Sequence, residues 1–151
     1  MKSIWYLALT GLLLTGCAQT ENLTSTEEAV FTQGANLTLQ LQKPVAIGDL
    51  TLNLQKVDES RCPINANCVR AGSAITYLQL QDTRGNSTTK VLYLGDPLTV
   101  PDNRGFRDAD TVNATLGSKT YRLILTEVLP FPNTTDQNPP EKTAKVSVTA
   151  L

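Results

Sequence analysis

From Phe31 onward the apolar residues of this chain recur at every second position. Leu37, Leu39 and Leu41 alternate with Thr38, Gln40 and Gln42. Leu50, Leu52 and Leu54 alternate with Thr51, Asn53 and Gln55. Successive side chains of a strand point to opposite faces, so this pattern specifies strands with one face in a core and the other in water. Ala74–Gln81, Thr88–Leu94, Thr111–Leu116, Thr120–Leu129 and Ala144–Ala150 continue it. In the first of these, Ile75, Tyr77 and Gln79 share one face, and Ala74, Thr76, Leu78 and Leu80 the other. All 8 prolines fall between strands or at their ends, as a sheet requires. Asp82–Asn86 and Gly117-Ser118-Lys119 carry turn chemistry. The expected fold is all-β: an immunoglobulin-like β-sandwich of seven to eight strands over residues 31–151, with a small β-barrel as the alternative. The Pro-rich links at 95–110 and 130–142 suit crossings between sheets, whereas an up-and-down barrel has mostly short links.

The N-terminus follows different rules. Met1 and Lys2 are followed by an almost wholly apolar run, Ile4–Leu14. That run is too short to span a hydrocarbon core, which takes about 20 helical residues. A positive start and a short apolar run describe an export signal. It ends in Leu14-Thr15-Gly16-Cys17, which resembles the lipobox of bacterial lipoproteins. The resemblance implies cleavage before Cys17, a diacylglycerol on its thiol and an acyl chain on its amine. Stable anchoring takes two or more chains, each buried CH₂ contributing roughly 0.8 kcal/mol. The expected organisation is a signal peptide at 1–16, a lipidated Cys17 with a flexible tether to residue 30, and one domain at 31–151. Ala18, where an aspartate would signal inner-membrane retention, implies the outer membrane.

Composition sets the exclusions. The 151 residues include no histidine, and removal of residues 1–16 also takes the single Met and the single Trp. Imidazole-based triads and His-ligated zinc or copper are therefore absent. A net charge of -1 gives no basic stripe for nucleic acid. Sequons at Asn22, Asn36, Asn86, Asn113 and Asn133 read, behind a bacterial signal, as the by-product of a chain rich in Asn and Thr.

With Cys17 lipidated, Cys62 and Cys68 remain, in a compartment that permits disulfides. Their pairing is expected to fix the link between the second and third strands. Five intervening residues do not make a redox motif, and copper would want Met or His nearby. Ser60-Arg61-Cys62-Pro63, then Cys68, then Ala71-Gly72-Ser73-Ala74 resembles a signature of small uncharacterised bacterial lipoproteins and secreted proteins. Tyr121–Leu125 and Val128–Pro132 resemble their C-terminal half. Those proteins commonly carry a tryptophan where this chain has Arg70. The resemblance carries over no activity.

Asp102-Asn103-Arg104-Gly105-Phe106-Arg107-Asp108-Ala109-Asp110 is the densest charged segment. Asp102, Asp108 and Asp110 are weak calcium candidates, since calcium takes several oxygens from a flexible loop. Arg104 and Arg107 could equally pair with them. Phe106, with Arg104 and Arg107, is the candidate partner-binding group: a phenylalanine among charges either tucks back or anchors a partner. Phe131 stands alone in the polar run 130–140, a second candidate loop. Tyr77, Tyr93 and Tyr121 read as packing residues. Asp58, Glu59, Asp96 and Asp102 are the carboxylates a hydrolase could use. The expected function is that of a non-enzymatic envelope lipoprotein, without cofactor or nucleic acid, binding a protein or envelope polymer through its loops. The alternatives are a calcium- or glycan-dependent binding module and a small carboxylate-based hydrolase. An exposed Phe106 favours the first reading, converging oxygens from 96–110 the second, and two facing carboxylates in a deep cleft the third.

Overall fold

The computed structural model describes residues 34–100 and 102–151. The signal segment, Cys17 and the tether lie outside the described residues. Eight strands form: β1 (Ala35–Gln40), β2 (Val45–Ile47), β3 (Leu50–Glu59), β4 (Ser73–Asp82), β5 (Ser87–Gly95), β6 (Asp110–Leu116), β7 (Lys119–Leu129) and β8 (Thr143–Ala150). They build two four-stranded antiparallel sheets, ordered β1-β8-β7-β6 and β2-β3-β4-β5. The sheets do not close into a barrel, so the all-β sandwich is the architecture. Among the described residues there is no helix, and so none long and apolar enough to cross a membrane.

The alternating leucines meet between the sheets. Leu39, Leu50, Leu52, Leu54, Leu78, Leu80, Leu92, Leu123 and Leu125 are fully buried in one continuous core, with Tyr121 among them. Burying each such leucine contributes roughly 2 kcal/mol. Tyr93 is also fully buried, whereas Tyr77 stays on the outer face under the Lys56 ammonium, 5.3 Å from its ring centre.

The path through the sheets is a meander. An immunoglobulin domain connects its sheets in Greek-key fashion. Here β2 to β5 are consecutive neighbours, as are β6 to β8, and β1 completes its sheet by pairing with β8. The long link after β5 crosses between sheets, as its length suggested. The one at 130–142 does not cross, because β7 and β8 are direct neighbours. Proline richness marks a segment as non-strand but does not say which strand the chain returns to.

Two bulges set what faces the loops. The register shifts between Leu54 and Lys56 in β3, and between Leu125 and Glu127 in β7. One extra residue reverses the alternation. Beyond the bulges Val57 and Val128 therefore face the core, and Glu59 follows Val57 in phase.

The antiparallel order places the three long links, 60–72, 96–109 and 130–142, at one end of the sandwich. The short turns at 48–49, 83–86 and 117–118 lie at the other. Gly34 is at this turn end, because Ala35 pairs with Val148 near the close of β8.

Candidate functional site

The loop end is braced from its base. Where β3 leaves its sheet and β4 enters it, the Ser60 N–H donates to the Ser73 carbonyl at 2.8 Å, and the Ser73 N–H donates back to Ser60 Oγ at 3.1 Å. The Cys62 N–H donates to the Ala71 carbonyl at 2.8 Å, and the Cys62–Cys68 disulfide closes the loop with Cα atoms 5.9 Å apart. Gly72 sits at φ +68, and a Cβ there would run into the Ser60 carbonyl. A glycine is required for both reasons. Arg70 reaches across to Asp96 at 2.9 Å, tying this loop to the next.

A charged cluster then joins the disulfide loop to the 130–142 loop. Glu59 accepts from Arg61 Nε at 2.7 Å and Arg61 Nη2 at 2.5 Å through its two oxygens, and from Lys142 Nζ at 2.8 Å. Arg61 also donates to the Val128 carbonyl at 3.0 Å, and Lys142 to the Pro130 carbonyl at 2.6 Å. The Arg61 guanidinium lies 4.2 Å from the centre of the Phe131 ring. Burial alone would raise the Glu59 carboxyl, but the hydrogen bonds from Arg61 and Lys142 outweigh it and hold it below its ordinary pKa. Beside this cluster the Ile64 N–H donates to the Pro132 carbonyl at 3.0 Å, and Asn65 and Thr134 bond reciprocally at 2.7 and 3.0 Å.

A second cluster closes the seam between the edge strands β5 and β6. Asp110, fully buried, accepts from Arg104 Nη2 at 2.6 Å and from the Tyr93 N–H at 3.0 Å. Arg104 also donates to the Thr111 carbonyl at 3.2 Å and stands 3.5 Å from Asp102. The Arg104 N–H donates to the Tyr93 hydroxyl at 2.6 Å. A groove of about 520 Å³ runs along this seam between Lys90–Val91 and Thr111–Asn113.

A smaller cleft of about 260 Å³ opens between the loops themselves, bordered by Phe106, Arg107, Phe131, Arg61 and Gly72 over Leu94. The backbone of Arg107 is fixed: its N–H donates to the Gly95 carbonyl at 3.0 Å, and the Gly95 N–H returns at 2.7 Å. Its side chain is not fixed in this way. Arg107 Nε is buried with no hydrogen-bond partner. Phe106 is 61% exposed.

The expected site residues thus separate. Phe106 and Arg107 line one cleft, while Arg104 turns inward to the seam. The three weak calcium candidates do not come together: Asp110 is bonded to Arg104 and Tyr93, and Asp102 and Asp108 are exposed. Among the described residues no group of three His, Cys, Asp or Glu side chains is placed to hold a metal ion. The carboxylates considered for hydrolysis each face a cation: Asp58 pairs with Lys56, Glu59 with Arg61 and Lys142, Asp96 with Arg70, and Asp102 with Arg104. Sequence reasoning did not anticipate the Glu59–Arg61–Lys142 cluster, whose members are up to 83 residues apart. The one available signal is the phase break after Leu54, which turns Glu59 inward. Comparison with protein-family models, curated proteins and solved structures finds no match for this chain.

Proposed function

We propose that this protein is a non-enzymatic lipoprotein of the bacterial cell envelope, anchored in the outer membrane through acyl chains on Cys17, that binds a protein or envelope polymer through its loop end. The observation that carries this reading is the polarity of the sandwich. Gly34 lies at the turn end, so the chain from Cys17 enters the domain at the end opposite to the three long loops. Those loops also hold Ile64, Val69, Leu98, Phe106 and Phe131, five of the seven exposed large apolar side chains among the described residues. The other two are Leu129, at the foot of the same end, and Leu151 at the C-terminus. Clustered apolar exposure at one end marks an interaction surface. The lipobox-like Leu14-Thr15-Gly16-Cys17 supplies the anchor.

The test is capture from detergent-solubilised envelope with the full-length lipoprotein and with a Phe106→Ser/Phe131→Ser variant. The wild-type protein should retain one partner or polymer that the variant loses. Equal recovery by both, or none above background with wild type, overturns the proposal. Anchoring is tested separately. Intact mass should show an acylated chain beginning at Cys17, and Cys17→Ala should move the protein to the soluble fraction.

A further inference from the structure

We infer that the cleft between Phe106 and Phe131 recognises a peptide carboxylate standing beside an apolar side chain, with Arg107 as the anchoring cation. This rests on the reading of the loop end as a binding surface and names the chemistry of its ligand. Four arginines gather at this end, and three are engaged. Arg61 is held by Glu59 and Phe131, Arg70 by Asp96, and Arg104 by Asp110. Among the described residues the Arg107 side chain has no carboxylate and no hydrogen-bond acceptor, and its two Nη groups, unlike its buried Nε, are open to solvent. A carboxylate entering the cleft would take the two Nη groups end-on, a two-pronged geometry that suits a guanidinium.

The rest of the cleft defines what accompanies that carboxylate. Its walls are the two phenylalanine rings, with Leu94, Ala71 and Gly72 between them. A volume of about 260 Å³ admits one apolar side chain with a neighbouring charge, and it lies below the size of a typical drug-sized ligand pocket. A sugar would want several convergent free polar groups, and with Arg61 held by Glu59 only Arg107 and Asp108 remain here. Asp108 on the rim sets a limit on negative charge and favours a monoanionic carboxylate over a doubly charged phosphate. The walls are prepared in advance: Phe131 lies on Arg61, the Arg107 backbone is bonded to Gly95 on both sides, and Gly72 is held by the disulfide loop. The carboxylate could be a chain terminus or an Asp or Glu side chain.

The test uses the full mature lipoprotein in detergent micelles, ¹⁵N-labelled, with four probes. These are acetyl-Ala-Leu with a free carboxylate, the same dipeptide as its amide, acetyl-Leu-Asp-amide, and inorganic phosphate. The free acid or the aspartyl probe should shift the Arg107 Nε–H resonance and the amides of Phe106 and Gly72, and the stronger of the two identifies the source of the carboxylate. The Leu amide and phosphate should not. Arg107→Gln should weaken binding about tenfold or more while the remaining spectrum stays native, and Arg107→Lys should fall between. Phe106→Ala should weaken it independently. Equal shifts from the amide or from phosphate, an unchanged affinity in Arg107→Gln, or no shift from either carboxylate probe would overturn the inference. If Arg107→Gln still captures the envelope partner as wild type does, this cleft is ruled out and the wider loop-end reading stands.

Discussion

The two ends of this sandwich solve the same problem with different means. At the turn end each link is short, and the 83–86 turn is satisfied chiefly by its own residues. The Asp82 carboxylate accepts the backbone N–H groups of Arg84 and Asn86 at 2.9 and 2.8 Å, and the Asn86 side chain at 2.7 Å. These bonds, that from the Asn86 side chain foremost, hold Asp82 below its ordinary pKa. The ion pair joining two turns, Lys119 with Asp49 at 2.5 Å, lies in solvent. At the loop end, links of a dozen residues or so cannot satisfy themselves locally. Two of them, 60–72 and 130–142, are held to each other by partners 67 to 83 residues apart, with the charges of Glu59, Arg61 and Lys142 taken largely out of water. Long loops become a stable surface only when they are cross-braced, and buried charge supplies much of that bracing here.

The contrast predicts unequal sensitivity. The largest effect should come from Arg104→Ala, which strands the Asp110 carboxylate inside the seam. Removing one partner of a buried pair costs about 3 kcal/mol or more. Urea unfolding should show this loss, and a change under about 1 kcal/mol would mean that water reaches Asp110. Next is the disulfide. Cys62→Ala/Cys68→Ala should cost about 2 kcal/mol, with faster hydrogen exchange in 60–72 and 130–142 and little change at 83–86. Uniform acceleration at both ends would dissolve the distinction between them.

Acid should act in the same order. The Glu59 carboxyl is depressed in the fold, so its contribution to stability is fully present above the ordinary value of 4.5 and fades as pH falls through the lower folded pKa. Glu59→Gln should remove that part of the acid sensitivity, leaving a shallower decline in stability below the same pH. An unchanged acid profile would assign the acid response to other carboxylates, such as Asp49, whose hydrogen bond with Lys119 also lowers its pKa. The smallest effect belongs to Lys119→Ala. Exposed pairs contribute little, so the denaturation midpoint should stay where it is, and a clear drop would show that the turn end also depends on its charges.

The sheets were readable in the sequence because leucine alternation is a local signal. Leu50, Leu52 and Leu54 needed no knowledge of their partners. β2 is not legible in the sequence, since Val45-Ala46-Ile47 is too short to show a period. β3 runs on to Glu59 because its bulge absorbs the phase break that otherwise reads as the strand's end. Phe106 was legible as a phenylalanine among charges. What could not be read was which arginine is engaged and which is free. Arg104 and Arg107 stand three positions apart in one charged run, and only the seam between β5 and β6 decides that Arg104 meets Asp110. Arg61 is less legible still, because its partners arrive from 128, 131 and, through Glu59, 142.

The pairing of β1 with β8 has a consequence for assembly in time. A chain delivered N-terminus first brings out β1 long before residues 143–150, the strand that completes its sheet. Meanwhile β2 to β5 can zip up as successive hairpins, because every partner there is the next strand along. Sequence-distant pairing is slow because the intervening chain must be ordered first. Leu37 and Leu39 should therefore gain amide protection last in pulse-labelled refolding. Among the described strands the first made is the last to dock, and its sheet is complete only when residues 143–150 have arrived.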